Sequence, residues 1–431
     1  MSRANDLELQ ELFIISQING IFTIGMTVTT GFEWQAVDEC REKLKPTTGI
    51  VKRRGKIYCN VSLDQFLKVQ EMRSVDNIYI IADVSTFNFI TSEKEGNFEL
   101  IRDAVQNNMG LEKHLNAWKI ATHFRGILYP TEEEFNSAHA SHKTRKEQFN
   151  DNTTVNNRSK KRGQDPSTVQ ENSILKFRVT CERTGEHAFE SGEVAKHVGA
   201  VLQDKYHWLV DLIAYHLEVV CHLISEEFIV GLRVTTESKH RRNISHFGPT
   251  TLRATVCYNL LRLAHPKLGD VVIDPMCGGG SIPIEAAMAY PESYIFCGDH
   301  HSKAVNRAKC NIDDMRNKGT IDVLQWNASK IPLRSSCIDI FVTDMPFGKR
   351  SGNMSDNRVL YKQILTELGR VTKIGTGRLV ILTYDRRSIN LAINSVKNLF
   401  HVTKMLGVNI GGLQAVVYVL KRSVKAFNDY I

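Results

Sequence analysis

Apolar positions in residues 10–130 follow two alternating periods. Phe22 to Thr30 is rich in β-branched residues and predicts a strand, as do residues 55–61 and Ile78 to Val84. Between them, Glu33 to Leu44 sets Trp34, Val37 and Leu44 among charged residues, the spacing of a helix. Ser62 reads as the N-cap of a second helix carrying Phe66, Val69 and Met72 on one face. The pattern lapses over 131–172. Only four large apolar side chains occur there (Phe135, Phe149, Val155, Val169), too few to offset the entropy of ordering. A flexible linker or surface insertion is expected; with seven basic and seven acidic residues it is not a net-cationic arm. Alternation returns at Leu175 to Cys181. Ser191 reads as the cap of a helix over Gly192 to Leu202, and His216–Ile224 and Phe228–Val234 read as two strands. A strand–helix–strand–strand unit of this size suits binding or packing on a neighbour better than catalysis.

From residue 270 the rhythm is β–α repeated. Strands are expected at Val271–Asp274, Tyr294–Asp299, Ile338–Asp344 and Leu379–Tyr384, with helices at Ser281–Ala289, Lys303–Asn317 and Val359–Thr372 between them. A helix at Ser388–Leu399 and two further strands, His401–Asn409 and Leu413–Leu420 joined by Gly411-Gly412, close the chain. Alternating βα units predict a parallel sheet with helices on both faces, and the final hairpin an antiparallel edge. The expected class is therefore α/β: a Rossmann-like C-terminal sheet of methyltransferase layout, preceded by an α/β module. The domains are expected at 1–130, 173–237 and 238–431, with 131–172 as the linker.

Composition changes this picture little. Hydrophobic residues at 42% and charged residues at 24% exclude a disordered or collagen-like chain. No stretch approaches the ~18 consecutive apolar residues of a membrane helix. The start, MSRANDLELQELF, lacks the apolar core of a secretory signal. The net charge of +8 fits a nucleic-acid partner without establishing one. Nine scattered cysteines without a CxxC pair predict reduced thiols in the cytoplasm or nucleus, and no structural zinc. The histidines have no metal-ligand spacing, so no metal is expected in this chain.

Three motifs carry chemistry. The first, Val271-Val272-Ile273-Asp274-Pro275-Met276-Cys277-Gly278-Gly279-Gly280-Ser281, runs from strand through glycine turn to helix, where a backbone can approach a ligand in the first crevice of a parallel sheet. Its spacing is neither GxGxxG nor GxxxxGK[ST], which disfavours pyrophosphate and triphosphate cofactors. The second is Asp299, about 20 residues on at the next strand end, where a carboxylate can accept from both ribose hydroxyls; the pair points to an adenosine-containing cofactor. The third is Asp344-Met345-Pro346-Phe347, which resembles the (D/N)-P-P-(F/Y/W) motif of enzymes that methylate exocyclic amines of nucleobases from S-adenosylmethionine. An aryl amine is a weak nucleophile; Asp344 and main-chain carbonyls held open by Pro346 can orient it, and Phe347 can stack on the base. Met345 departs from the usual proline at a position that contributes mainly a carbonyl. Asp344 is expected to act by orientation and electrostatics, because a carboxyl of ordinary pKa near 4 cannot readily deprotonate such an amine.

On these motifs the C-terminal half resembles a class I S-adenosylmethionine-dependent RNA methyltransferase, and 173–235 resembles a THUMP domain, an RNA-binding module of tRNA-modifying enzymes. The connector Lys239 to Arg253 (KHRRNISHFGPTTLR), Thr30-Gly31-Phe32-Glu33-Trp34 and Arg73-Ser74-Val75-Asp76-Asn77 are similar to the guanosine-N2 branch of that family. The resemblance implies methylation of guanosine N2 in tRNA near the acceptor stem, at position 6 or 7, and a small zinc-containing activator subunit as heterodimer partner. It implies Asp344, Pro346 and Phe347 as catalytic residues. It implies cofactor contacts from Asp274, Pro275, Cys277, Gly278, Gly279, Gly280, Asp299, His300 and Asn327, and from Thr250 and Thr251 at a helix start after Pro249. Asn327 stands where such enzymes often place Asp near adenine N6. His240, Arg241, Arg242, Lys349 and Arg350 are the expected phosphate contacts, and His246 reads as a turn residue before an RNA-stacking one. The rivals are methylation of adenine N6 or cytosine N4, guanosine-N2 methylation of a small nuclear RNA, and an RNA-binding adaptor without catalysis.

Overall fold

The computed structural model describes residues 8–18, 20–89, 93–108, 111–151, 163–241, 243–248, 250–315, 321–346 and 354–427. The chain forms two compact units, each built from three segments. One comprises Met1–Thr27, Cys40–Met72 and Asn77–Ser238; the other comprises Val28–Glu39, Arg73–Asp76 and Lys239–Ile431.

The first unit is organised by one eight-stranded sheet. Its strands are β1 (Ile21–Thr27), β2 (Ile50–Arg53), β3 (Lys56–Ser62), β4 (Asn77–Thr86), β5 (Lys176–Thr184), β6 (Leu209–Val210), β7 (Leu217–Ile224) and β8 (Glu227–Arg233), ordered β2-β3-β1-β4-β8-β7-β5-β6. The antiparallel pairing of β4 with β8, from Tyr79↔Arg233 to Thr86↔Glu227, fuses the N-terminal strands to the later strand–helix–strand–strand unit. That unit therefore packs on a neighbour, as its size requires. Its helix spans Ser191–Tyr206 and is capped by a Glu190–Glu193 capping box rather than by Ser191. Ser62 stands at the start of a 3-10 turn, Leu63–Gln65, without capping it through its side chain.

The segment 131–172, expected to be a linker, carries a helix over Glu132–Asp151. Thr131 and Glu134 bond reciprocally at its start, and three glutamates complement the positive end of its dipole. Capping by Thr131 and Glu134 starts this helix where apolar content alone predicted none.

The second unit carries a seven-stranded sheet of β9 (Val271–Asp274), β10 (Tyr294–Asp299), β11 (Ile321–Gln325), β12 (Ile340–Asp344), β13 (Arg378–Thr383), β14 (Phe400–Ile410) and β15 (Leu413–Arg422). The order is β11-β10-β9-β12-β13-β15-β14, with β9 to β13 parallel and the final hairpin antiparallel. Strand β11 has no counterpart in the hydrophobic pattern: it is an edge strand, and its Ile-Asp-Val-Leu-Gln stays mostly accessible. One face of the sheet packs on helices Met354–Val371 and Arg386–Ser395, burying Phe341, Met345, Ile364, Leu368 and Ile389.

Residues 28–39 and 73–76, expected within an N-terminal module, belong to this second unit. Asn409 N–H donates to the Thr30 carbonyl (2.9 Å), and Gly31, at φ +102°, leaves room for the Gly407 carbonyl, which a Cβ would meet at 2.3 Å. Buried Glu39 accepts from the N–H groups of Arg73 and Ser74, and Arg73 Nε donates to the fully buried Glu285 at 2.7 Å.

Candidate active site

Strand β9 ends in Asp274, and the chain turns through three glycines into helix Ser281–Ala289. Gly278 and Gly280 take φ of +54° and +85°, which explains glycine at both. The turn is pinned from three sides. Asp299 at the end of β10 accepts from Gly278 N–H (3.0 Å) through one oxygen and from His301 N–H (2.9 Å) through the other. Trp326, after β11, donates its indole N–H to the Pro275 carbonyl (3.0 Å). Asn311, buried on helix Ser302–Asp313, donates to the carbonyls of Gly279 (2.8 Å) and His246 (3.0 Å) and accepts from His246 N–H (2.7 Å). The same amide thus clamps connector to glycine turn. His246 is held by its backbone, with its imidazole 3.3 Å from Asp314, which favours the turn reading.

These elements surround a cavity of about 900 Å³, within the range of small-molecule sites. It is lined by Asp274, Pro275, Cys277, Gly278, Gly279, Asp299, His300, Asn327, Thr250, Thr251, Asp344 and Pro346; of the expected cofactor residues only Gly280 stands behind the wall. Two details differ from expectation. The helix after the connector begins at Ala254, so Thr250 and Thr251 precede it; Thr251 Oγ1 instead accepts from Gly248 N–H at 2.8 Å. Asn327 Oδ1 accepts from Ser329 N–H and Oγ (2.9 and 2.8 Å), so its acceptor is engaged locally.

The carboxyls of β9 and β12 face very different chemistry from solvent. Asp274 accepts from Thr343 Oγ1 (2.9 Å) and Met276 N–H (3.1 Å), yet burial pushes its pKa up to about 7. Asp344 is held well above the usual carboxylate range by burial and by the charge of Asp274, and among the described residues its buried Oδ1 has no hydrogen-bond partner. The ordinary carboxylate pKa near 4 expected for Asp344 is therefore corrected upward. After it, Met345 N–H donates to the Leu382 carbonyl (2.9 Å) and its side chain is fully buried in the core. A proline there would offer neither that donor nor that filling. Tyr361 donates to the Pro346 carbonyl (2.5 Å) and lies 3.1 Å from Thr383 Oγ1, fixing the motif from helix Met354–Val371. Phe347, Lys349, Arg350, Arg242 and Pro249 lie outside the described residues. His240 and Arg241 stand in a 3-10 turn, Lys239–Arg241, with Arg241 exposed.

Sequence reasoning missed Asn311, Trp326 and Tyr361. Asn311 had a signal: it continues the buried face of Ala304, Val305 and Ala308, where an amide must find partners.

The residues present fit an S-adenosyl cofactor: Asp299 keeps lone pairs beside its two N–H donors, the cavity is glycine-walled and of suitable size, and among the described residues one oxygen of Asp344 on its wall is left without a partner. The sheet order with these three motif positions defines a class I methyltransferase. Residues 241–415 match the RMKL-like methyltransferase domain family, UPF0020. A Bos taurus relative named tRNA (guanine(6)-N(2))-methyltransferase THUMP3 is 38% identical over 455 residues, covering 94% of this chain and 89% of that protein. The chain belongs to that tRNA guanine-N2-methyltransferase family. A second Bos taurus relative, a U6 snRNA (guanine-N(2))-methyltransferase named THUMPD2, is 32% identical over 213 residues, 49% of this chain and 41% of its own. Among solved structures, TrmN from Thermus thermophilus superposes with a TM-score of 0.68 at 21% identity, covering 93% of this chain and 99% of its own. A putative methyltransferase complexed with SAH superposes with a TM-score of 0.66 at 14% identity, covering 95% and 100%. Among the described residues no helix is long and apolar enough to cross a membrane.

Proposed function

We propose that this enzyme methylates the exocyclic N2 of a guanosine in tRNA from S-adenosylmethionine, in the acceptor-stem region at position 6 or 7. The observation that carries the reading is the buried Oδ1 of Asp344, unpartnered among the described residues, on the wall of the cavity that also holds Asp299 and the glycine turn. When bound, S-adenosylmethionine supplies an electrophilic methyl group on a sulfonium. The chain does the rest. Asp299 keeps lone pairs for ribose hydroxyls beside its two N–H donors. Asp344 accepts N2–H of guanine, and that bond favours its ionised form. The Pro346 carbonyl, held by Tyr361, has a second lone pair for the same amine, and Phe347 stacks on the base. As the new C–N bond forms and the methyl–sulfur bond breaks, N2 gives up one proton, which Asp344 receives, its own proton having passed to solvent when it ionised.

Unit 1, with 173–237 as a THUMP domain, supplies RNA affinity together with His240, Arg241, Arg242, Lys349 and Arg350, through phosphates and shape. The small zinc-containing activator subunit pairs with an outer strand of the catalytic sheet. Exposed Leu324 on β11 and Val402 and Met405 on β14 support such a docking edge. The cytoplasm, with the nucleus second, is the expected compartment.

The tRNA reading is favoured over U6 RNA because the THUMP3 relative aligns along nearly the whole chain and THUMPD2 along half. The test is nucleoside mass spectrometry after incubating purified protein, with and without the activator, with labelled cofactor and either RNA. N2-methylguanosine in a tRNA fragment spanning positions 6 and 7 is the expected product. Label only in U6 RNA, or on adenine or cytosine, overturns the assignment. Calorimetry with S-adenosylmethionine separates the enzyme from a non-catalytic adaptor.

A further inference from the structure

We propose that Arg307 anchors the carboxylate at the amino-acid end of the cofactor. The inference rests on S-adenosylmethionine as the occupant of the cavity and adds a residue that neither the glycine turn nor the three motifs announce.

Arg307 lies on helix Ser302–Asp313, one turn before Asn311, and lines the cavity. Its side chain is laid against two glycines. A Cβ at Gly248 would fall 2.8 Å from its Nη1, and a Cβ at Gly279 would fall 3.4 Å from its Cδ. The guanidinium therefore stands where connector and glycine turn meet. Among the described residues no carboxylate or carbonyl is bonded to it. Two of the cavity's carboxyls are committed elsewhere, Asp299 to Gly278 and His301 and Asp274 to Thr343 and Met276; the third, Asp344, has its Oδ1 unpartnered among the described residues and is likewise not bonded to the guanidinium. A half-buried cation left without a counter-charge in a cavity is a receptor for an anion.

The direction of the cofactor selects which anion. Asp299 fixes the ribose end, and Asp344 marks where the methyl group must face. The remaining arm of the molecule then runs along Gly278 and Gly279 toward Gly248, where the guanidinium waits. The other cavity cation, Lys303, is exposed and sits one turn earlier on the helix, next to His300 and His301 and nearer the ribose end. Thr250 and Thr251 are not at a helix N-terminus, so their backbone alone makes a weak carboxylate site, and a charged fork supplies what they lack.

The test compares S-adenosylmethionine with decarboxylated S-adenosylmethionine, which lacks only the carboxylate, by calorimetry on the full chain. Wild type is expected to prefer the carboxylated ligand. Arg307→Met should weaken it by roughly 10- to 100-fold, the worth of a charged hydrogen bond, and leave the decarboxylated ligand unchanged. Arg307→Lys, which keeps charge but not the fork, should recover part of the loss, and Lys303→Met should not discriminate. Equal losses for both ligands, or no loss for either, overturn the proposal. So does a fall in tRNA affinity alone, measured by anisotropy without cofactor, which would make Arg307 a phosphate contact. If wild type binds neither ligand, the cofactor reading fails and this one with it.

Discussion

Burial raises the pKa of a carboxyl, because desolvation penalises only the charged form. Asp344 is shifted in this way and, among the described residues, its buried Oδ1 has no hydrogen-bond partner, so its capacity to accept depends on pH and on the arriving amine. Single-turnover methyl transfer at saturating tRNA should therefore rise with pH through a midpoint above the usual carboxylate range. Asp344→Asn keeps an acceptor oxygen and should show residual, pH-flat activity; Asp344→Ala should lose about 10²–10³ in rate with cofactor affinity intact. A wild-type rate for Asp344→Ala would put the active site elsewhere. Asp274 bears on stability. Its pKa is about 7 in the fold against 3.8 ordinarily, so the native state binds the extra proton and stability falls as pH rises from about 4 to about 7. The span corresponds to about 4 kcal/mol at most. Asp274→Asn still accepts from Thr343 and Met276 but carries no charge. Chemical denaturation should find it gaining on wild type as pH rises across that window; parallel pH slopes would show that Asp274 is not the titrating group.

At the scale of elements, the end of β10 must pass under Trp326. A Cβ at Gly298 would lie 2.3 Å from the indole Cε2, so Gly298→Ala must displace the ring that donates to Pro275. Overpacking of this kind costs about 1–3 kcal/mol, and the glycine turn loses one of its three ties. Both the melting temperature and its rise on adding S-adenosylhomocysteine should drop; an unchanged ligand-induced shift would mean that Trp326 does not support the turn. Gly298 stood in plain view beside Asp299, but its reason is a residue 28 positions away on another strand end. That is the general boundary of legibility here. Strands β9, β10, β12 and β13 were readable because a buried parallel strand is a continuous apolar run, and glycine turn, Asp299 and Asp344 sit at their ends. Strand β11 was not, because an edge strand keeps polar residues on accessible positions. Met345 read as a blemish in a proline motif until its N–H and side chain were seen to be used by β13 and the core.

At the scale of the whole molecule, the chain visits its second unit twice before residue 239. Hydrophobic periodicity could not reveal this, since a short excursion such as 73–76 is recognised only by its partners. Arg73 donates to Glu285, which is fully buried on the helix that follows the glycine turn, and Asn243 donates to the other oxygen of that carboxylate at 2.6 Å. Asn259, on the buried helix Ala254–Ala264, donates to the Ser74 carbonyl (3.0 Å), and Thr255 to Asp76 (2.6 Å). Removing one member of a buried ion pair costs about 3–5 kcal/mol, against a total of about 5–15 kcal/mol for a typical domain. A fragment of residues 239–431 keeps the whole seven-stranded sheet and every cavity residue, yet it strands Glu285 without its guanidinium and uncovers Gly407. It is therefore expected to unfold or aggregate, and to bind no S-adenosylmethionine, although it contains the complete cofactor site. Arg73→Met in the full chain isolates the effect: it should lower the melting temperature and weaken cofactor binding while sparing the eight-stranded sheet of the other unit. The measurement is thermal unfolding of the fragment, the variant and the wild type, each with and without cofactor. A fragment that melts cooperatively at the wild-type temperature and binds cofactor with wild-type affinity would show that the two N-terminal excursions are dispensable to the catalytic fold.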